Sequence, residues 1–351
     1  MAEPGRVSTR TREHAVRIGS LELSSPVLIA PMVGITDAPC RALLREMGAG
    51  LVSTEMVAAE AIVRRAEPAL QLLDFPPPAA PVAAQLVGCD AAAMAAAAQV
   101  CVERGASVVD VNLGCPVPRV VTRGSGAALA RDVGATARVL GAMVAAVSVP
   151  VTAKMRLGWD SASINAPELA RALQDVGVAA VTVHGRTRSQ KYQGEADWAE
   201  IARVKESVDI PVFGSGDVDD VRVIAARIRA GVADGVVIAR GMLGNFWLVR
   251  QAVHLLATGE LLPDLDFGAR IELARRHLGM LCAYHGEERA TRVGRKYVAW
   301  TVRGCDGAAR LRARVQTLTS RAELDALLDD AGAAGLGPQG WFRPVFSSGE
   351  G

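Results

Sequence analysis

Four side chains capable of chemistry stand inside or just past apolar runs. Gln85 lies inside the run 82–87, Lys154 and Arg156 leave the run 149–155 as Lys-x-Arg, and Cys115 follows the run 108–113 in the turn Asn112-Leu113-Gly114-Cys115-Pro116. Burying a lysine or a glutamine without a partner is costly, so a ligand is the economical partner for both. A thiol exposed on a Gly-Cys-Pro turn can act as nucleophile or proton donor. No His or Asp close in sequence marks Cys115 as a protease-like nucleophile. The other five cysteines (40, 89, 101, 282, 305) fall in helix-like contexts or away from strand ends, so Cys115 alone is expected at a reactive position. Two further segments are rich in glycine, Gly-Ser-Gly-Asp at 214–217 and Ala-Arg-Gly-Met-Leu-Gly-Asn at 239–245. Their backbone amides can approach an anion, and a phosphosugar or FMN would each qualify as its source.

The elements that must position these groups follow from hydropathy. Eight short, nearly continuous apolar runs (27–30, 51–53, 82–87, 108–113, 149–155, 180–183, 211–213, 235–239) read as strands buried on both faces. Between several of them lie helix-like segments with an N-cap and a closing glycine: Asp37 to Gly48, Asp90 to Gly105, Asn165 to Gly177 and Asp217 to Gly231. Eight strands alternating with helices predict an α/β fold of (β/α)8 TIM-barrel type, and no GxGxxG follows the first strand to favour a dinucleotide-binding sheet. In such a barrel the loops after the strands form the active face, with phosphate usually held after strands seven and eight. The strand pattern stops before Pro263, and helical spacing continues at Ile271, Ala274, Leu278, Leu281 and Cys282. The expected organisation is a flexible arm (1–17), a barrel (18–262), an all-helical C-terminal domain (263–332) and a loose Gly-rich tail (333–351).

The chain has 351 residues, half of them apolar and 22% charged, which excludes disorder for most of its length. Scattered cysteines without CxxC spacing suggest neither a zinc site nor a disulfide scaffold, so no metal and a reducing, cytoplasmic setting are expected. No signal peptide and no membrane helix are expected either. The net charge of +2 hides a local excess: residues 289–321 carry nine basic side chains against Asp306 alone, with Tyr297 and Trp300 interleaved. That pattern suggests a polyanionic partner such as RNA.

Taken in order, APMVGITDAPCR (30–41), GAGLVSTEM (48–56), AQLVG (84–88), DVNLGCP (110–116), GSGAAL (124–129), VTAKMRLGWD (151–160), VHGRTRSQKYQGEADW (183–198) and IARGMLGN (238–245) resemble the tRNA-dihydrouridine synthase family, most closely its bacterial B-type members. The resemblance implies FMN-dependent reduction of the C5=C6 bond of D-loop uridines in tRNA, with NADPH as reductant. In that family hydride passes from flavin N5 to uracil C6, and the cysteine matching Cys115 protonates C5. The resemblance also implies that Pro31, Met32 and Val33 surround the flavin, that Gln85 bonds its pyrimidine edge, and that Lys154 lies near N1. His184, Ser215, Gly216, Asp217, Ala239 and Arg240 would serve the phosphate side, while Asn112, Arg156, Arg295 and Lys296 would meet the substrate. Since a uracil edge is buried in folded tRNA, the target base would be flipped into the barrel mouth. The family pattern is altered at Pro118, Ser215, Ala239, Phe246, Tyr297 and Thr301. A monomer is expected. The competing readings are an FMN-dependent oxidoreductase of a free pyrimidine or enoate, and a non-catalytic tRNA-binding protein.

Overall fold

A computed structural model describes residues 16–76 and 79–336. Residues 1–15 of the expected arm and 337–351 of the expected tail lie outside the described residues. Eight parallel strands follow one another in the chain: β1 (Val27–Ile29), β2 (Val52–Ser53), β3 (Val82–Val87), β4 (Val108–Leu113), β5 (Val151–Arg156), β6 (Ala180–His184), β7 (Val212–Ser215) and β8 (Gly235–Ile238). Each pairs with its neighbour, and β8 pairs with β1. Between β1 and β2 the ring closes through a bridge at Leu28 and Leu51, with the Ile29 amide donating to Leu51 O at 3.0 Å. The fold is therefore the expected (β/α)8 barrel, with every strand within two residues of its expected start and end.

The principal barrel helices are α1 (Ala38–Glu46), α2 (Ala59–Val63), α3 (Ala91–Glu103), α4 (Val133–Ala146), α5 (Ala166–Asp175), α6 (Trp198–Glu206), α7 (Val221–Arg229) and α8 (Trp247–Thr258). Asp37 and Asp90 cap α1 and α3 as expected, accepting from the amides of Cys40 (3.0 Å) and Ala93 (2.8 Å). Two expected caps are corrected. Asn165 makes no side-chain cap, because its amide donates to Ala130 O at 2.8 Å. Asp217 does not open α7 either: Asp220 caps it, since the Asp217 carboxylate is taken by Arg186.

Inside the barrel the inward positions form layers. At the floor, Leu28, Leu51, Ala83, Val108, Ala180, Phe213 and Val237 pack on Ile18, which arrives on a small antiparallel hairpin (Arg17–Ile18 with Leu21–Glu22). This apolar plug closes the N-terminal end. One step up each strand, by the period-two alternation of side chains, the inward residues turn polar: Ser53, Gln85, Asp110, Thr152, Thr182 and Ser215. The floor excludes water and the polar layer faces the opposite, loop-bearing end.

After α8, four helices continue: α9 (Phe267–His285), α10 (Glu287–Thr301), α11 (Ala308–Val315) and α12 (Arg321–Ala334). Their apolar faces share one core with the barrel, running from Val27, Ile29 and Ile238 through Leu43 and Val249 to Leu278, Val298 and Leu327. Tyr297 is 4% exposed and donates from Oη to Ile35 O at 2.6 Å, while Trp300 meets its ring edge-on at 5.4 Å. The reading of these two aromatics as RNA-facing is thereby corrected: they fasten the helices to the barrel. The charge excess also shrinks, because Arg292, Arg314 and Arg321 pair with Glu288, Asp330 and Asp325, all acids outside residues 289–321.

His277 lies in the same seam, 1% exposed, edge-on to Tyr297 at 4.4 Å and to Phe246 at 5.2 Å. Its Nε2 has no hydrogen-bond partner, and burial, only partly offset by Asp37, pushes its pKa down to about 4. An unfolded histidine titrates near ~6.5, so between pH 6.5 and 4 the unfolded chain binds more protons than the folded one. Stability is thus complete above the unfolded value and falls as pH drops through this window. His277→Phe is expected to flatten that fall by up to about 1.4 kcal/mol per pH unit. Urea unfolding at pH 7 and pH 4.5 checks it, and an unchanged difference between the two pH values would contradict a neutral buried His277.

Candidate active site

Strand register brings the polar residues to the loop-bearing end of the barrel. Gln85 on β3 stands beside Asp110 on β4, Asp110 beside Thr152 on β5, Asn112 beside Lys154, and Arg156 beside His184 on β6. Gln85 is fully buried and donates through Nε2 to Asp110 Oδ2 at 2.7 Å; Thr152 donates to Asp110 Oδ1 at 2.7 Å. Asn112 donates to Gln85 Oε1 at 2.9 Å and accepts, on its own oxygen, the amides of Gly114 (3.2 Å) and Cys115 (2.8 Å). Cys115 is half-buried on this turn, and its carbonyl accepts from Ala127. A Cβ at Gly126, whose φ is +61°, would come 3.2 Å from that of Cys115, so the thiol has a close-fitting wall.

The mouth is strongly cationic. Burial, reinforced by Arg156 and countered by Asp110, pushes the Lys154 pKa down to about 8, and among the described residues no carboxylate pairs with its Nζ. Arg156, 6% exposed, donates to Gly114 O (2.9 Å), Thr187 O (3.0 Å) and Lys191 O (2.8 Å). It braces the Cys115 turn against the loop after β6, and burial brings its pKa down to about 10. His184 is held neutral, well below its ordinary value, by burial and by the charges of Arg156, Lys154, Arg186 and Arg240. Arg240 stacks on Tyr192 with 4.3 Å to the ring centroid, and Arg156 lies 5.6 Å from the same ring.

After β7, Arg186 organises the loop. It is 3% exposed and grips both oxygens of Asp217 at 2.8 and 2.9 Å, while also donating to Gln193 O and Gly194 O. Asp217 is thereby held at a φ of +51°, next to Gly216 at +108°, where a Cβ would strike Ala196 and His184. Among the described residues the backbone amides of Gly216, Asp217 and Ala239 donate to no other group. Ser215 is turned inward and donates to Val237 O at 3.3 Å. Unpartnered amides beside His184 and Arg240 suit a phosphate.

Pro31 and Met32 line the β1 side, and Val33 is 67% exposed at its edge. Lys296 reaches the same lip, donating from Nζ to Gly34 O. Arg295 does not come to the mouth: its Nε donates to Leu318 O within the helical region, at 2.8 Å. One sequence expectation is corrected here, because Cys89 also stands just past a strand, β3, with an exposed thiol donating to Arg123 O at 3.2 Å. Asp110, Thr152, Arg186 and Tyr192 also belong to the site, with no role expected for them from the sequence. Asp110 bears the signal used for Gln85, a polar residue inside an apolar strand, and Arg186 shares a strand end with His184.

Fold and site together define a (β/α)8 enzyme with a thiol at the exit of β4 and an anion cradle after β7 and β8. The chain belongs to the dihydrouridine synthase (Dus) family, whose sequence model matches residues 28–334. It is 40% identical over 304 residues to a probable tRNA-dihydrouridine synthase of Rickettsia bellii, covering 86% of this chain and 93% of that one. It is 37% identical over 326 residues to tRNA-dihydrouridine synthase B of Xanthomonas axonopodis pv. citri, covering 92% and 98%, and 40% identical over 307 residues to that of Pseudomonas putida, covering 87% and 90%. Among solved structures, histamine dehydrogenase from Rhizobium sp. 4-9 superposes with a TM-score of 0.57 at 14% identity, over 76% of this chain and 50% of that one. A 2-naphthoyl-CoA reductase does so with 0.55 at 12%, over 68% and 51%. The chain spans about half the length of each, and the likeness is one of fold.

Proposed function

We propose that this protein reduces D-loop uridines of tRNA to 5,6-dihydrouridine, using FMN reduced by NADPH, with Cys115 as proton donor. The curated relatives are named for tRNA and the family for dihydrouridine. The observation that carries the reading is the joining, in one mouth, of a half-buried thiol on a braced turn with a cationic cradle of unpartnered amides.

The residues present fit FMN. Gly216, Asp217 and Ala239 offer amides to its phosphate, with Arg240 and His184 alongside; Ser215 contributes backbone only. Gln85 has one amide hydrogen left after Asp110 takes the other, and this hydrogen would serve the pyrimidine edge. Lys154 would bring a positive charge to the ring, and Pro31, Met32 and Val33 would border it. When bound, FMN supplies the hydride. The chain's own residues do the rest: Cys115 Sγ gives a proton to uracil C5, Asn112 and Arg156 keep its turn in place, and the Ile18 plug shuts the barrel floor against water. Lys296 tethers the helical region to the lip, and Arg295 with Arg289, Arg310 and Arg312 gives that region its charge for the tRNA backbone. The enzyme acts as a cytoplasmic monomer. Transfer RNA from cells lacking the gene is expected to lose dihydrouridine at one or more D-loop positions; a full complement, in cells with no second family member, would refute the reading.

A further inference from the structure

Four side chains, Thr152, Asp110, Gln85 and Asn112, link the floor of the site to the turn that carries its thiol, and the hydrogen bonds from Gln85 to the turn have a fixed direction. At one end stand the amide N–H groups of Gly114 and Cys115, which can only donate. At the other end stands the Asp110 oxygen that accepts from Gln85. Between them lie two carboxamides that could each be turned over, Asn112 and Gln85, and the two ends leave only one arrangement for the pair. Were Gln85 reversed, its oxygen would face a carboxylate oxygen. Asn112 would then have to present its NH2 to two backbone N–H groups.

We propose that Asp110 is a positioning residue for the whole site: it orients Gln85, through Gln85 it orients Asn112, and through Asn112 it holds the turn that presents the Cys115 thiol. The inference deepens the proposed function and rests on it for the part played by Cys115. Asp110 is 6% exposed, and its side-chain hydrogen bonds go to Gln85 and Thr152, not to Cys115. It is fixed in turn by Thr152, whose hydroxyl meets Oδ1 at 2.7 Å. Burial pushes the Asp110 carboxyl up, while Gln85, Thr152 and the Lys154 charge oppose that. The relay survives either protonation state, because the Thr152 hydroxyl can accept a proton's hydrogen bond as well as donate one, leaving Oδ2 as the acceptor for Gln85. One carboxylate thus couples the residue assigned to the flavin edge with the residue assigned to the acid.

The test is a double-mutant cycle on the full chain, read by the rate at which iodoacetamide alkylates Cys115, followed by peptide mass spectrometry so that exposed Cys89 does not interfere, and by the dissociation constant for FMN. Asp110→Asn keeps the shape but can turn an NH2, in place of an acceptor, toward Gln85 Nε2 and so loosen that amide, and Asn112→Ala cuts the relay next to the turn. Each single variant is expected to change Cys115 alkylation about five- to tenfold, and the double variant to match Asn112→Ala alone, because the two act in series. Asp110→Asn is also expected to weaken FMN about tenfold through the disordered Gln85 amide. Independent, multiplying effects on alkylation would overturn the proposal, since a purely electrostatic influence of Asp110 on Lys154 persists when Asn112 is removed. So would normal alkylation in Asp110→Asn. Thr152→Val, which releases one carboxylate oxygen and leaves Gln85 untouched, is expected to shift alkylation in the same direction by less; no shift would count against the relay should Asp110→Asn fail to fold. Failure of the wild-type protein to bind FMN would defeat the functional reading instead, while the alkylation cycle still decides the relay.

Discussion

Cys115→Ala is expected to retain FMN and its reduction by NADPH while uridine reduction falls by about 10²–10⁴-fold, the usual worth of a positioned general acid. The two half-reactions separate because the Cys115 side chain makes no hydrogen bond within the relay; only its backbone amide does, donating to Asn112 Oδ1. Removing Sγ therefore leaves Gln85, Asp110 and Asn112 in place. Stopped-flow absorbance follows the flavin with NADPH, and mass spectrometry follows the tRNA. Turnover equal to wild type would remove the thiol from the chemistry, and Cys89, the other exposed thiol past a strand end, would be the next residue to replace.

Arg186→Met is expected to lower stability by about 3 kcal/mol and weaken FMN at least about tenfold. The guanidinium is buried and makes bonds to the Asp217 carboxylate and to two carbonyls. Without it Asp217 keeps only the Ala196 amide on Oδ2 (2.7 Å) and Arg227 on its carbonyl (3.1 Å) to hold it in the left-handed region, and the Gly216 and Asp217 amides lose their common direction. Arg186→Lys is not expected to rescue the site, because an ammonium cannot grip both oxygens and both carbonyls at once. Thermal unfolding and fluorescence titration with FMN measure the two effects. Undiminished FMN affinity in Arg186→Met would show that the loop after β7 keeps its form unaided.

What was legible in the sequence follows the physics of burial. Strands covered on both faces must be apolar throughout, so all eight appeared as short runs, and a polar residue within a run, such as Gln85, marked the interior of the site. Asp110 carried the same mark inside the run 108–113, but its place in the site depends on Gln85 and Thr152, which come from neighbouring strands. The cap at Asp217 failed for a related reason: what decides its conformation is Arg186, which sits 31 residues away in sequence. Tyr192 belongs to a loop without periodicity, and nothing local shows that two arginines stack on it. The basic stretch at 289–321 was visible as composition; Glu288 and Asp325, one helical turn from Arg292 and Arg321, lie just outside it, whereas Asp330 reaches Arg314 only because two helices fold against each other. Tyr297 looked like an RNA-facing ring because its partners, Ile35 and His277, come from a loop and a helix far away in sequence.

The most direct measurement is site-resolved mass spectrometry of dihydrouridine in unmodified tRNA after incubation with the purified, FMN-loaded protein and NADPH. The expected result is a new dihydrouridine at one or more D-loop uridines, absent when Cys115→Ala replaces the wild-type protein. No dihydrouridine at any uridine, from a preparation whose flavin is bound and reduced by NADPH, would contradict tRNA reduction and leave a free small molecule as the acceptor.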